Sequence, residues 1–327
     1  MRILFVTSMH PTIANPQRGV IVARLAEALR AIGHEVELFP LGHQGGPIRY
    51  VKARSRFAAT VHSYVPDVIH VHFGYSGIAV PAMKVAVVTS FYGDDLNGTW
   101  ASSGRTTLKS KVGVVISQLV ALRSARCIAV SAALRDRLWF AAARSKTVVV
   151  RDAVDPLLFQ PHNRDEARAR LGLSPTDVLI LFPHDVGQAT KRLGLAQSAV
   201  SELQQTEPHA RLWVVNGKPP DDMPWYYSAA DAMIITSALE SGPSSAKEAL
   251  ACGLPVVAVA VGDLQLFEDV PEAMLRSEPT AKALARGLSR ALDVSRTPRR
   301  SRLPNHLTLS SAVARIEEVY RAAVGAR

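Results

Sequence analysis

The chain has 327 residues, a formal charge of +10, 48% hydrophobic and 20% charged residues, and 20 Gly and 20 Pro spread along it. At ~150 residues per domain this predicts about two domains, each able to bury a core, and it excludes a small disulfide scaffold and a disordered or fibrous chain. The positive charge admits an anionic partner and says nothing about fold.

Short apolar runs alternate with helical periodicity along the whole chain, the pattern of stacked β-α-β units around a parallel sheet. RILFVTS opens as a strand. A helix follows over Val20 to Ile32 with Val22, Leu25, Ala26 and Leu29 on one face, stopped by Gly33, and HEVELFPL is a second strand. Further strands are VIHVHF (68–73), AVVTSF (86–91), CIAVS (127–131) and TVVV (147–150). In the third strand His72 ends the run, and His70 is expected to face the other side of the sheet or the core. Leu108, Val112, Val115, Ile116, Leu119 and Leu122 repeat at helical spacing, predicting a helix over about 106–124. That stripe reads either as a core-facing surface or as a membrane-facing one. From Ala101 to Arg151 ten basic residues stand against one acid, Asp136, so the charge is concentrated there.

A turn-rich stretch, VDPLLFQPHNRDEARARLGLSPTD, carries one predicted helix and marks a boundary. The pattern then restarts, with strands at VLILFP (178–183), RLWVVN (211–216), AMIITS (232–237) and PVVAVAVGD (255–263). Helices are predicted at about 192–204, 244–252, 280–292 and 310–323. The expected organisation is an N-terminal Rossmann-like domain over 1–153, a second over 154–305, and a last helix in 306–327 crossing back to the first. Ligands of doubly wound sheets bind outside the carboxyl ends of the strands, so the cleft between the halves is the default site.

Cys127 and Cys252 lie in apolar surroundings and read as buried thiols of a reducing compartment. The first apolar run is too short for a secretory core, and no stretch is long enough to span a membrane; the expected setting is the cytoplasm. SRTPRRSRLP (295–304) reads as a solvated basic loop. With 6% aromatic residues and no aromatic-basic platform, nucleic acid is not an expected partner.

The most informative stretch is LESGPSSAKEALACGLPVVAVAVGD (239–263). Glu240 and Glu248 lie eight positions apart, and a Gly-Pro-Ser-Ser turn opens the helix bearing the second. Ser244 or Ser245 is expected to cap that helix, whose free N–H groups and positive dipole end suit a phosphate. Glu248 is expected to point into the cleft from a rigid element.

These residues, with Gly19 before a helix ending GHEV, PDVIHVH, TSFYGDDL, IAVSAALRDRL, VDPLLF, TKRLGLA and SSAVARIEEVYRAAV in the same order, resemble the retaining, nucleotide-sugar-dependent glycosyltransferases of family 4. The resemblance implies an α/β fold of GT-B architecture, two Rossmann-like doubly wound domains facing a central cleft. It implies transfer of a hexosyl or related group from an NDP-sugar, UDP- or GDP-linked, to a glycan, lipid-linked glycan or small molecule. No obligatory metal and no other cofactor is implied.

Carried over residue by residue, Glu248 holds the ribose hydroxyls and Glu240 lies by the donor sugar. The backbone of Gly242, Pro243, Ser244 and Ser245 faces sugar and diphosphate. The departing diphosphate needs fixed positive charge or donors, and Lys191 and Arg192 are the candidates. The family usually has an Arg directly after the first strand of this domain, where His184 and Asp185 stand; Arg192 is expected to take its role. In the first domain Gly19 matches the glycine that lets the diphosphate approach, and His72 matches a histidine near the donor sugar. Asp95 matches an acid that follows a His-Gly dipeptide on the acceptor side, with Tyr92 in place of the histidine. His72, Asp95, Lys191 and Glu240 are thus the catalytic candidates. Base contacts are expected near Asn216–Met223, and acceptor contacts from loops such as LGHQGGPIRY (41–50).

The departures at His184, Asp185 and Tyr92 leave a second reading, a non-catalytic sugar-nucleotide-binding protein of the same fold. Peripheral contact with the inner face of an anionic membrane through the 101–151 zone is a further expectation.

Overall fold

The computed structural model describes residues 1–12, 18–42, 48–98, 107–240, 242–262, 264 and 270–325. Residues 43–47 of the expected acceptor loop, 101–106 of the basic zone and Ser241 and Asp263 lie outside the described residues. The chain divides into two compact units, Met1–Asp152 with Ser310–Arg327, and Ala153–Leu309.

Unit 1 has strands β1 (Arg2–Thr7), β2 (Glu35–Pro40), β3 (Val68–His72), β4 (Ala86–Phe91), β5 (Arg126–Ala129) and β6 (Thr147–Val149). Its helices are α1 (Val20–Ala31), α2 (Ile48–Tyr64), α3 (Asp94–Asn97), α4 (Leu108–Arg123), α5 (Ala132–Arg135) and α6 (Ala141–Ser145). The sheet is parallel, in the order β2-β1-β3-β4-β5-β6. Order reverses between β1 and β3, where Thr7 pairs with His72 at the carboxyl edge. Such a reversal opens a crevice for ligand. β3 is buried at every position, as a central parallel strand covered on both faces must be.

Unit 2 has helix α7 (Arg164–Leu171), strand β7 (Val178–Phe182), α8 (Leu193–Leu203), β8 (Ala210–Val214), α9 (Met223–Ala229), β9 (Ala232–Ile235), α10 (Ser244–Ala251), β10 (Val256–Val259), β11 (Met274–Ser277) and α11 (Ala281–Ser295). Its parallel sheet runs β11-β10-β9-β7-β8, reversing between β7 and β9. Alternate residues feed two cores, as the period of two in a strand dictates. Leu179 and Leu181 of β7 join Met233, Ala249 and Leu250 on one face, while Ile180 and Phe182 join Val200, Ile234 and Leu288 on the other.

Local chemistry fixes the ends of these elements. Asn163 accepts from the N–H groups of Asp165 and Glu166 to start α7, and Gly172, left-handed at φ 66, ends it. The carbonyls at the end of α9 are taken by arginines: Arg168 donates to Ala229, and Arg299 to Tyr227, Ser228 and Ala230. Asp231 then accepts from Arg164, Arg168 and the N–H of Leu179, tying the start of β9 to β7. Arg168 and Asp231 thus meet as a pair inside the fold.

The last helix, α12 (Leu309–Gly325), returns to unit 1. Its Tyr320 hydroxyl lies 2.6 Å from His70 Nδ1, and Glu317 lies 2.9 Å from His34 Nε2.

Two elements differ from the sequence reading. α2 has no apolar stripe to announce it, because only Tyr50, Ala53 and Phe57 of its 17 residues are buried. α4 is turned over. Leu108, Val112, Val115 and Leu119 are 79, 52, 43 and 51% exposed, while Ser110, Gly113, Ser117, Val120 and Ala121 face inward. The reason is close approach of the 3-10 turn Gly74–Ala79: an added Cβ at Gly74 would sit 2.3 Å from Ser117 Oγ, and one at Gly113 would sit 2.4 Å from the Tyr75 ring. Contact so tight selects small residues, so the large apolar ones are left outside.

Candidate functional site

In unit 2 the expected donor residues gather at the carboxyl ends of β7 and β9, the switch point of that sheet. Lys191 ends a 3-10 turn, Ala189–Lys191, and its Nζ lies 2.5 Å from Glu240 Oε1. The two side chains are 18 and 15% exposed, so the pair is largely withdrawn from water. Arg192, next in the chain, is left-handed at φ 51 and ψ 53. Its guanidinium donates to the carbonyls of Thr236 and Ser237, while the Thr236 hydroxyl donates back to the carbonyls of Lys191 and Arg192. Arg192 is therefore a clamp between two loops, with Nε and Nη2 already bonded to main-chain carbonyls where the resemblance would spend its donors on phosphate.

His184, in place of the family's arginine, is buried with its ring edge-on to Phe182. Burial first, and Lys191 second, pull its pKa down to about 3, so it is neutral. Its Nε2 and the Oγ of Ser237 are buried without a partner among the described residues. Asp185 turns away from this work and accepts from the N–H of Gly187.

Glu248 is carried by α10, and Tyr227 donates to its Oε2 at 2.8 Å. Neither Ser244 nor Ser245 caps α10: both are its first residues, Pro243 holds the N-cap, and no side chain makes a cap bond. Gly242 and Pro243 lead directly into this turn. The free N–H groups of a helix's first turn favour an anion. Asn216–Met223 folds as a loop, a 3-10 turn at Pro220–Asp222 and the first residue of α9.

In unit 1 His72 ends β3 at the switch point, fully buried, with Nδ1 2.7 Å from the Tyr92 hydroxyl and Nε2 without a partner among the described residues. His70 shares its face, since residues two apart on a strand point the same way; of the two expected placements, the other side of the sheet or the core, it takes the core. The two rings lie with centroids 4.0 Å apart, tilted 33° to each other. His70 is satisfied at both nitrogens, by Tyr320 at 2.6 Å and Ser90 Oγ at 2.7 Å. Desolvation lowers its pKa to about 3, and desolvation with His70 as neighbour holds that of His72 well below the usual range.

Asp95 is fully buried, and its oxygens accept from the N–H groups of Gly74, Tyr92 and Gly93 at 3.1, 3.2 and 2.9 Å. Burial pushes its pKa up to about 6 against the pull of those bonds. This geometry makes Asp95 the anchor of the loop carrying Tyr92. Gly19 is left-handed at φ 70, and an added Cβ would lie 2.3 Å from the Met9 carbonyl. Its missing side chain is demanded by that contact, whatever approaches the start of α1.

Tyr227, Tyr320, Ser90 and Thr236 were missed by sequence reasoning. Each acts through a partner remote in sequence, and only a tyrosine placed to pair with a buried acid or histidine would have signalled it. Among the described residues no group of three or more His, Cys, Asp or Glu side chains is placed to hold a metal ion. Both cysteines are buried free thiols. No described helix is long and apolar enough to cross a membrane.

Comparison with known proteins bears on what these two sites belong to. Residues 19–157 match the model of Glycosyltransferase Family 4, and residues 194–305 match that of Glycosyl transferases group 1. The D-inositol 3-phosphate glycosyltransferase 1 of Catenulispora acidiphila is 30% identical over 239 residues, 61% of this chain and 57% of that protein. This chain thus matches little more than half the length of that relative. Among solved structures, sucrose-phosphate synthase from Thermosynechococcus elongatus superposes with a TM-score of 0.79 at 19% identity, covering 100% of both chains. HepE from Anabaena, in complex with UDP and glucose, gives 0.69 at 16% identity, covering 98% of this chain and 99% of that one. With both halves matched in order and the two parallel sheets in place, the chain belongs to the family 4 glycosyltransferases and has their GT-B fold.

Proposed function

We propose that this protein is a retaining glycosyltransferase that moves a hexosyl or related sugar from an NDP-sugar, UDP- or GDP-linked, to a glycan, lipid-linked glycan or small-molecule acceptor. The observation that carries this reading is the grouping at one sheet edge of the Lys191–Glu240 pair, Glu248 and the side-chain-uncapped start of α10. A carboxylate accepts two hydroxyl hydrogen bonds, which suits Glu248 to the ribose. Lys191 and the amides of Ser244 and Ser245 supply fixed positive field for a diphosphate, and this reading needs no obligatory metal. HepE, whose fold is shared, binds UDP and glucose, in keeping with a nucleotide-sugar donor.

In the proposed step the bond between the anomeric carbon and the phosphate oxygen breaks, and a bond to the acceptor oxygen forms on the same face. The acceptor proton passes to the departing phosphate, so no strong enzymic base is required. A cytoplasmic setting, with both thiols reduced, belongs to the same reading.

A thermal-shift panel of UDP, GDP, ADP and TDP and their sugars, with Glu248→Ala as control, tests it. A selective rise lost in the variant is expected, followed by a product of retained anomeric configuration by NMR. Binding without transfer across many acceptors would favour the non-catalytic reading; no binding would end both.

A partner surface on unit 1 supports peripheral contact with an anionic membrane. The exposed apolar face of α4 lies beside Trp139 and Phe140, 56 and 40% exposed. Gln118 fixes that neighbour by accepting from Trp139 N–H and donating to the Arg137 carbonyl. Exposed Lys109, Lys111 and Arg137 border the face. Exposed apolar bulk, aromatics and cations close together are what an anionic bilayer attracts.

A further inference from the structure

Tyr92 and His72 form a pair whose chemistry the transfer reading does not by itself assign. We infer that Tyr92 is a positioning residue: its O–H donates to His72 Nδ1 and so keeps the hydrogen on Nε2, making His72 a neutral hydrogen-bond donor to a sugar hydroxyl or phosphate oxygen.

The distance between Tyr92 Oη and His72 Nδ1 is 2.7 Å, so one of the two carries the shared hydrogen. A phenol is a better donor than acceptor, and an imidazole nitrogen is a better acceptor than a phenol oxygen. Burial, with Asp152 and Asp95 nearby, raises the phenol pKa against the opposing pull of a hydrogen bond with the Ser90 side chain, so Tyr92 keeps its proton. The ring of His72 is packed against Phe5, at 4.3 Å, and His70, at 4.0 Å, and it is fully buried. Such a site does not tolerate imidazolium. With Nδ1 accepting, the hydrogen of the neutral ring resides on Nε2.

That Nε2 has no partner among the described residues. A buried N–H left unpaired is costly and uncommon, and a binding group is one recognised reason for it. The other histidine of the strand provides the contrast, since His70 has partners at both nitrogens and nothing left to offer. Immediately after His72 the chain enters a strained conformation, with Phe73 at φ 75, of the kind that collects at functional sites. Asp95 accepts from the Tyr92 N–H and so fixes the base of the pair.

The inference rests on the transfer reading for the ligand alone; the tautomer is a property of the free protein. The first arm is 15N NMR of the intact protein labelled at histidine. The expected wild-type spectrum shows His72 with Nε2 protonated from pH 6 to 8, and Tyr92→Phe moves it toward the other tautomer or a mixture. The second arm is kinetics with the donor found by the thermal-shift panel. Tyr92→Phe is expected to lower kcat about tenfold with KM for the donor nearly unchanged, and His72→Gln, which keeps an N–H near the Nε2 position, to retain more activity than His72→Asn. A wild-type Nδ1–H tautomer, or an unchanged tautomer in Tyr92→Phe, overturns the inference even if transfer is found. The expected tautomer in a protein that binds no donor would instead defeat the transfer reading and leave Tyr92 as the residue that sets the ring's hydrogen.

Discussion

Lys191 Nζ lies 2.5 Å from Glu240 Oε1, joining two loops that leave adjacent strands of the second sheet. The pair is nearly neutral as it stands, so Lys191 acts on a diphosphate only as far as Glu240 shares it. Lys191→Met is expected to lower kcat by 10²–10³, the range for removing one fixed donor from a developing anion. Glu240→Gln should leave the cation freer and tighten NDP binding while still slowing transfer. Titration calorimetry with NDP, beside steady-state rates, separates the two effects.

Tyr227 bears on Glu248 in the same way at 2.8 Å. Tyr227→Phe is expected to weaken NDP-sugar binding about tenfold, equivalent to ~1.4 kcal/mol, through a loosened carboxylate. Glu248→Ala should cost more, about a hundredfold. Equal effects of the two changes in a binding titration would mean that Tyr227 touches the ligand itself.

Gly19→Ala forces a Cβ against the Met9 main chain from a left-handed backbone. A loss of about 2–4 kcal/mol from unit 1 is expected, from strain and overlap together. Thermal unfolding followed without ligand detects it, whereas a merely ligand-facing glycine would leave the apo protein unchanged.

The buried histidines set the response to acid. His70 and His184, with ordinary values of 6.5, are lowered to about 3, and His72 is lowered further than the usual range. Below pH 6.5 the unfolded chain takes up protons that the native chain refuses, so stability falls as pH falls. Asp95 works the other way: its pKa is raised from 3.8 to about 6, so between those values the native chain holds one proton more. The lowered histidines outnumber the one raised carboxyl, so unfolding takes up protons on balance between pH 6 and 4 and stability falls across that range. Chemical denaturation at pH 7, 6 and 5 should show the decline, and replacing His184 with Asn should flatten it for unit 2.

Vesicle co-sedimentation tests the α4 face. Wild-type protein is expected to pellet with 1:1 phosphatidylglycerol and phosphatidylcholine at low salt and to stay in solution with phosphatidylcholine alone. Val115→Glu with Leu119→Glu, both at exposed positions, should abolish pelleting while nucleotide binding persists. Pelleting of the variant at the wild-type level would remove this surface from consideration.

Much of the fold was legible because parallel strands buried on both faces read as continuous apolar runs, as RILFVTS and VLILFP do. α1 was equally plain, since Val22, Leu25, Ala26 and Leu29 all turn inward. The core-facing reading of the α4 stripe fails because the helix's inner surface includes Ser110, Gly113 and Ser117, residues that carry no hydropathy signal, and its large apolar residues lie outside. In the site, the positions of Lys191, Glu240 and Glu248 followed from motif order. What Arg192, Asp95 and Gly19 do did not, because each is committed to main-chain atoms of another segment, and a sequence does not display those partners.

The bond between Tyr320 and His70 spans 250 positions, and unit 2 is encoded entirely between them. A ribosome therefore releases all of Ala153–Leu309 before the element that closes the first unit has been made. Unit 2 can mature as a continuous stretch during synthesis, whereas β3 waits with its histidine pair uncovered until α12 arrives. Expression of residues 1–152 alone would yield a sheet with His70 unpartnered at Nδ1, a poor reagent for studying the first half of the protein, while 153–309 is the fragment that the order of assembly favours.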